Sequence, residues 1–517
     1  MIKTVLLLTL YLFSFFVTVA QNTDRFWAFG DSAAIDFSNL NNPVPSYSIL
    51  RSRGTCASIC DSDGDLLFYC GSPHEPIWSN PNVNNCGYVA NKNHQIMQNG
   101  DSLRGTSWYQ EMIIVPNPGN SNQYYIFCSG VLAPNNGLFY SLVDMSFNNG
   151  LGKVIQKNIQ LNSDYGCDGI TAVKHGNGRD WWLVFRNWKY YPLYSNEIKV
   201  YQVSPTGITA NPTQLIGTSM TDEGFLRSKF NASGNKMYTV STDGLIENYD
   251  FDRCTGMLSN PTTFSTLSGP PYVDYWGFEV SPDESKIYVT SIYQTGNQDT
   301  SYLIQFDLNA ANFLASADTL GTFLAPDLAG LLQLGPDNKI YLSVTWAWPD
   351  TCNDYLYCYG TVNTTNSNIS VINFPDSSGS ACGFQAFSFY LGGHKAYTGL
   401  PNNPNYELAK DSGSVCDTLT VGINELIGNY SNLFVYYDPQ WKVAFINADK
   451  LTGRKYDLEI YDISGRKIIK ESGNLDSGAD GYQSFTLDLD MSSYNSGLYI
   501  ISLTTEKEKL VKKFVKP

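Results

Sequence analysis

Six times along this chain an apolar strand enters a tight polar turn and leaves it as a strand centred on an aromatic residue. The clearest copy is Phe278-Glu279-Val280-Ser281-Pro282-Asp283-Glu284-Ser285-Lys286-Ile287-Tyr288-Val289; close relatives run from Leu332 to Leu342 and from Phe230 to Tyr238, and weaker ones end at Phe68, Tyr125 and Trp182. The aromatics stand at 68, 125, 182, 238, 288 and 341, in steps of 57, 57, 56, 50 and 53. Pro presets φ and Asp, Asn or Gly closes the turn, so each copy reads as a β-hairpin. A third strand follows in most copies, as at Ile198 to Val203, Ile246 to Phe251 and Leu303 to Asp307. A period just above 50 with four short strands is what a β-propeller blade requires. Unrelated hairpins in a β-sandwich would not keep near-equal steps.

From Phe26 to about Glu407 there is room for seven such units, and the spacing leaves six or eight open. The seventh is expected from Ala386 to Tyr390 joined to Phe26 to Phe29. Pairing strands from the two ends of the chain would close the ring and remove exposed edges.

The N-terminus sets the compartment. Lys3 is followed by an almost wholly apolar run, Val5 to Val19, and Ala20 offers a small residue for cleavage before Gln21. That is the anatomy of a signal peptide over residues 1–20, and the run is short of the roughly 20 residues of a spanning helix. No later stretch is long and apolar enough to cross a bilayer as a helix. Leu433 to Pro517 hold 12 basic and 12 acidic residues, so the formal charge of −15 lies entirely in the rest. Such a surface repels phosphate backbones and argues against nucleic acid as a partner.

Eleven cysteines in an exported chain imply disulfides, with one thiol left over if the others pair. None stands in C-x-x-C spacing, which leaves a zinc ribbon or thioredoxin-type site without support. With the turn centred on Ser62 to Gly64, Cys60 faces Leu66 and Cys56 faces Cys70, which predicts a Cys56–Cys70 disulfide. Cys352 and Cys358 can brace a long loop.

Phe26-Trp27-Ala28-Phe29-Gly30, Leu66-Leu67-Phe68-Tyr69, Thr171-Ala172-Val173-Lys174-His175, Phe251-Asp252-Arg253-Cys254-Thr255-Gly256 and Leu400-Pro401-Asn402-Asn403-Pro404-Asn405-Tyr406 together resemble a family of secreted bacterial propellers. The resemblance covers roughly residues 26–420 and implies the fold, not a ligand. After Tyr406 the composition shifts, and residues 407–432 read as a linker between a propeller over 21–406 and a small immunoglobulin-like β-sandwich over 433–517.

That last segment resembles the type A sorting domain of the type IX secretion system. The likeness rests on the turn Tyr461-Asp462-Ile463-Ser464-Gly465-Arg466, the turn Ser496-Gly497-Leu498-Tyr499 and the basic end with Lys512 and Lys513. Where the family opens with a Tyr-Pro-Asn-Pro-like segment, this chain has Tyr436-Tyr437-Asp438-Pro439. The resemblance implies the secretion machinery as a partner, passage through the periplasm and across the outer membrane, and release or attachment at the surface.

Catalytic signatures are missing: no G-x-S-x-G elbow, no H-E-x-x-H, no phosphate loop and no dinucleotide fingerprint. No cofactor or metal is expected. Asp61, Asp63 and Asp65 occupy the hairpin-turn slot and lack EF-hand spacing. Glu111, Asp168 and Glu223 stand near the starts of inner strands in consecutive blades and could converge on the central channel. Long loops at the strand-entry side carry Trp188, Trp276, Trp346 and Trp348, whose flat apolar faces and polar edges suit sugars and peptides. The expected function is non-catalytic recognition of glycan or protein. The alternative is a propeller hydrolase or lyase acting on polysaccharide through the three carboxylates.

Overall fold

A computed structural model describes residues 22–73, 87–105, 108–130, 137–188, 195–220, 225–265, 273–293, 300–346, 362–417, 432–438, 442–462, 465–477, 483–507 and 509–516. The expected signal peptide lies outside them. Two compact units divide the chain, 1–419 and 420–517. No helix among the described residues is long and apolar enough to cross a membrane.

The first unit is a β-propeller. Its described strands form seven successive antiparallel sheets, all meanders in chain order except the fourth, where two strands pair with the third. They open with the strands Phe26–Phe29, Cys56–Cys60, Met112–Pro116, Thr171–Lys174, Leu226–Phe230, Val273–Val280 and Asp327–Leu334. Each opening strand packs against the opening strand of the next sheet, so these seven are innermost. Runs such as Met112-Ile113-Ile114-Val115 are buried on both faces, which is why they read as continuously apolar rather than alternating. Tyr341 of the seventh sheet lies edge-on to Trp27 and Phe37 of the first, with ring centres 5.6 and 5.5 Å apart. The last sheet thus packs on the first.

The repeat aromatics explain themselves here. Phe68, Tyr125, Trp182, Tyr238, Tyr288 and Tyr341 all fall in the second strand of sheets two to seven, and all are buried. Each fills the layer between neighbouring sheets.

Two expectations are corrected. Ala386 to Tyr390 and Phe26 to Phe29 do not share a sheet. Phe384–Tyr390 pairs with Asn368–Ile372 as the fourth strand of the seventh sheet, while Phe26–Phe29 pairs with Asp31–Asp36 in a three-stranded first sheet of its own. Ring closure by packing and by an isolated bridge between Asp31 and Lys395 replaces closure by a shared sheet. The Cys56–Cys70 register is the second. Cys60 does oppose Leu66, but an extra residue at Leu67 bulges the return strand, so Cys56 meets Gly71 and Cys70 meets Ala57. Cys56 then joins the core shared with the first sheet and Cys70 the core shared with the third, and both are free thiols. Cys352 and Cys358 lie outside the described residues.

A disulfide forms instead between Cys254 and Cys416, with Cα atoms 5.3 Å apart. Arg253 Nη2 donates to Ala409 O and Thr23 Oγ1 to Glu407 Oε1, so with the disulfide at Cys416 residues 407–416 are fastened to the body, while Lys410 pairs with Asp417 at 2.7 Å within the segment.

The second unit is a β-sandwich. One sheet orders Asn432–Asp438, Val443–Leu451, Gln483–Asp490 and Asp476–Ser477; the other orders Lys467–Asn474, Lys455–Asp462, Gly497–Thr505 and Lys509–Lys516. Ala444, Ile446, Leu458, Ile460, Ile501 and Leu503 fill the space between them.

Candidate binding surfaces on the propeller axis

The axis of the propeller is filled by its own chain. Residues 395–408 run along the innermost strands and bond to one sheet after another. Lys395 exchanges backbone hydrogen bonds with Asp31, Leu331 N donates to Thr398 O, and Gly399 N donates to Arg53 O. A Cβ at Gly399 would sit 1.8 Å from Gly54 O, so only glycine fits at this crossing. Asn402 is the hub. Its backbone N–H reaches Cys56 O, its Nδ2 donates to Met112 O and Ile170 O at 3.0 Å each, and its Oδ1 accepts from Gln110 Nε2 at 3.0 Å. Tyr406 then donates from its hydroxyl to Ile114 O and accepts at its carbonyl from Lys174 Nζ. Sheets two, three and four are thus tied through two buried residues, Asn402 and Tyr406. The asparagine-rich stretch Leu400 to Tyr406 was visible in the sequence; its place on the axis was not.

Two of the three carboxylates near the inner-strand starts are used in the same bracing. Asp168 is fully buried, accepts from the backbone N–H of Tyr109 and Gln110, and pairs with Arg227 Nη1 at 3.1 Å. It thereby joins the entries of sheets three, four and five. Glu111 is fully buried and its Oε2 accepts from Trp108 N at 3.2 Å. Glu223 lies outside the described residues.

At the strand-entry end, aromatic rings and guanidinium groups interleave. Trp108 and Tyr109 precede the third inner strand, Phe225 precedes the fifth and Trp276 stands in the sixth. Trp108 packs on Phe225 with ring centres 4.6 Å apart, and Tyr109 meets Trp276 edge-on at 5.2 Å. The Arg53 guanidinium lies 4.9 Å from the Trp108 ring centre and 5.3 Å from that of Tyr109, whose ring also has Arg227 5.0 Å away. These are cation–π distances. Trp108 and Trp276 are half-buried, and their indole N–H groups find no acceptor among the described residues. Sequence reading singled out Trp276 but missed Arg53, which no local motif marks.

The other tryptophans differ. Trp188 is only 5% exposed, packed against Cys167 and Leu226 and edge-on to Tyr165, so at most its rim can meet a ligand. Trp346 ends the strand Ile340–Trp346 half-buried, and Trp348 lies outside the described residues.

At the hairpin-turn end the inner strands splay around a cavity of about 110 Å³, floored by Asn402 to Asn405 and Asp24. Lys229 Nζ donates to Glu279 Oε2 at 2.6 Å and to Leu332 O and Gln333 Oε1 at 2.8 Å, which uses all three of its protons. Asp24 Oδ1 accepts from Trp27 Nε1 and Asn403 Nδ2. Burial raises the Asp24 carboxyl to about 7, more than those two hydrogen bonds lower it.

In the sandwich unit, Asp462 N donates to Arg466 O and Gly465 N to Asp462 O, closing the Tyr461–Arg466 turn with Gly465 at φ 80°. Tyr499 is buried, stacks on Phe514 and donates to Asn495 O just before Gly497 opens its strand. Lys512 and Lys513 are exposed on the final strand.

Residues 435–517 match the family model of the secretion system C-terminal sorting domain. Among solved structures, the chain is similar to a protein from Lactobacillus plantarum, with a TM-score of 0.43 and 9% identity over 73% of this chain and 98% of that one. It is also similar to the β-propeller domain of Cps50 (Swd1) from Myceliophteria thermophila, at a TM-score of 0.30 and 10% identity over 58% and 95%. An endo-arabinase from Bacteroides thetaiotaomicron aligns at 0.28 and 13% over 49% and 94%. Likeness this distant carries nothing about activity. None of the curated proteins matches the chain.

Proposed function

We propose that this chain, exported through its type IX sorting domain to the cell surface or the medium, is a recognition protein whose propeller binds glycan or protein at its strand-entry face without altering it. The observation that carries this reading is the half-buried cluster of Trp108, Phe225, Tyr109 and Trp276 with Arg53 against the Trp108 and Tyr109 rings. Half-buried rings interleaved with guanidinium groups offer flat apolar stacking area beside positive charge. Trp346, Trp348 and the rim of Trp188 stand as further proposed contacts. The alternative of carboxylate chemistry on polysaccharide has weaker support, because Asp168 and Glu111 are fully buried and hold backbone amides. A general acid must reach the atom it protonates.

Glycan and peptide arrays probed with the exported protein test this. A ligand found there should bind Trp276→Ala at least about thirtyfold more weakly, a loss of about 2 kcal/mol. Unchanged binding by Trp276→Ala and Trp108→Ala would move the site elsewhere. Turnover of any arrayed polysaccharide by the wild type would overturn the non-catalytic reading.

A further inference from the structure

The cavity at the hairpin-turn end is separate from the face just discussed: its walls come from the far ends of the inner strands. Three properties define what it can hold. First, its fixed charges cancel within it, since Lys229 and Glu279 pair at 2.6 Å and Glu279 also accepts from Leu334 N and Val280 N. An anionic guest would find no free counter-charge there, and below about pH 7 Asp24, kept protonated by burial, offers none to a cation. Second, two nearly buried side chains present unused polar atoms. Asp24, 5% exposed, has both of its hydrogen bonds on Oδ1, so Oδ2 has no partner among the described residues. Gln333, 9% exposed, accepts from Lys229 through Oε1, and its Nε2 donates to none of the described residues. Both line the cavity. Third, Val173, Phe230, Leu334 and Leu408 give it apolar wall between these polar points.

We propose that this cavity is a binding site for an uncharged polyhydroxylated ring of about hexose size. Its volume of about 110 Å³ is room for several ordered waters, which such a ring would displace. Ring hydroxyls both donate and accept, matching Asp24 Oδ2 and Gln333 Nε2 at once. The C–H face of the ring lies against Phe230 and Leu408. An apolar guest would leave both polar atoms unpaired, at a cost that disfavours it.

Calorimetric titration of the full chain with methyl glycosides of glucose, galactose and mannose, and with myo-inositol, tests the site. At least one should bind saturably. Gln333→Leu should weaken that binding about tenfold, Leu408→Trp should abolish it by filling the cavity, and Trp276→Ala should leave it unchanged. If none of these compounds binds, or if Gln333→Leu and Leu408→Trp both bind like wild type, the site is refuted. If Trp276→Ala alone abolishes binding, the ring sits on the entry face, which refutes this site and leaves the proposed function standing.

Discussion

Asp24 shows how one residue can be structural and titratable together. Trp27 and Asn403 hold its carboxyl, and burial lifts it from 3.8 to about 7. The folded chain therefore keeps this proton through a range in which the unfolded chain has lost it. The stability Asp24 contributes is fully present below about pH 4 and is lost as pH rises to about 7, a change of about 4 kcal/mol. Compared with Asp24→Asn, which keeps the shape and cannot ionise, the wild type should lose stability across that window. Urea melts of both proteins at pH 5 and pH 7.5 measure the difference. Parallel pH profiles would show that Asp24 does not titrate there. A single residue also decides the second hairpin. Leu67 is one more residue than the return strand needs, and it sends Cys56 and Cys70 to different cores, where burial pushes the Cys70 thiol up to about 12.

Among elements, the axial segment matters most. It follows all seven sheets in the chain, yet Asn402 and Tyr406 supply bonds to sheets two, three and four. The Cys254–Cys416 bridge anchors its far end and closes a loop of 162 residues. On chain-entropy grounds a loop of that length contributes about 5 kcal/mol. Cys254→Ser/Cys416→Ser should therefore unfold at clearly lower denaturant than the oxidised wild type, and reductant should shift the wild type alone toward it. If reductant shifts both equally, the bridge is not the source. The fourth position of each sheet is less uniform than the repeat suggests: among the described residues the first and second sheets have three strands, and in the fourth both Gly207–Ala210 and Gln214–Met220 pair with Ser195–Ser204.

For the whole molecule, the two compact units divide the work. The sandwich has its own core and balanced charge, and the disulfide at Cys416 precedes it. Deleting residues 433–517 should leave a folded, protease-resistant body in the periplasm, because the axial segment and its disulfide remain intact. Cell fractionation with limited proteolysis reads this. Truncated protein in the medium would mean that export does not depend on the sorting domain. A body degraded in the periplasm would mean that the units fold as one.

What was legible in the sequence was local or periodic. Alternation, turn residues and the recurring aromatics depend on a few neighbours, so they marked the hairpins and placed six aromatics in six second strands. The turns around Gly465 and Gly497 marked the sorting domain in the same way. What only the tertiary structure decided involves residues far apart in the chain. Arg53 beside Trp108, Asp24 beside Asn403 and Cys254 beside Cys416 are separated by 55, 379 and 162 positions. No local pattern encodes such pairs, because they come together only when the ring closes around the axial segment. The bulge at Leu67 is the remaining case: both registers satisfy the turn, and the packing of the cores on either side of the sheet selects between them.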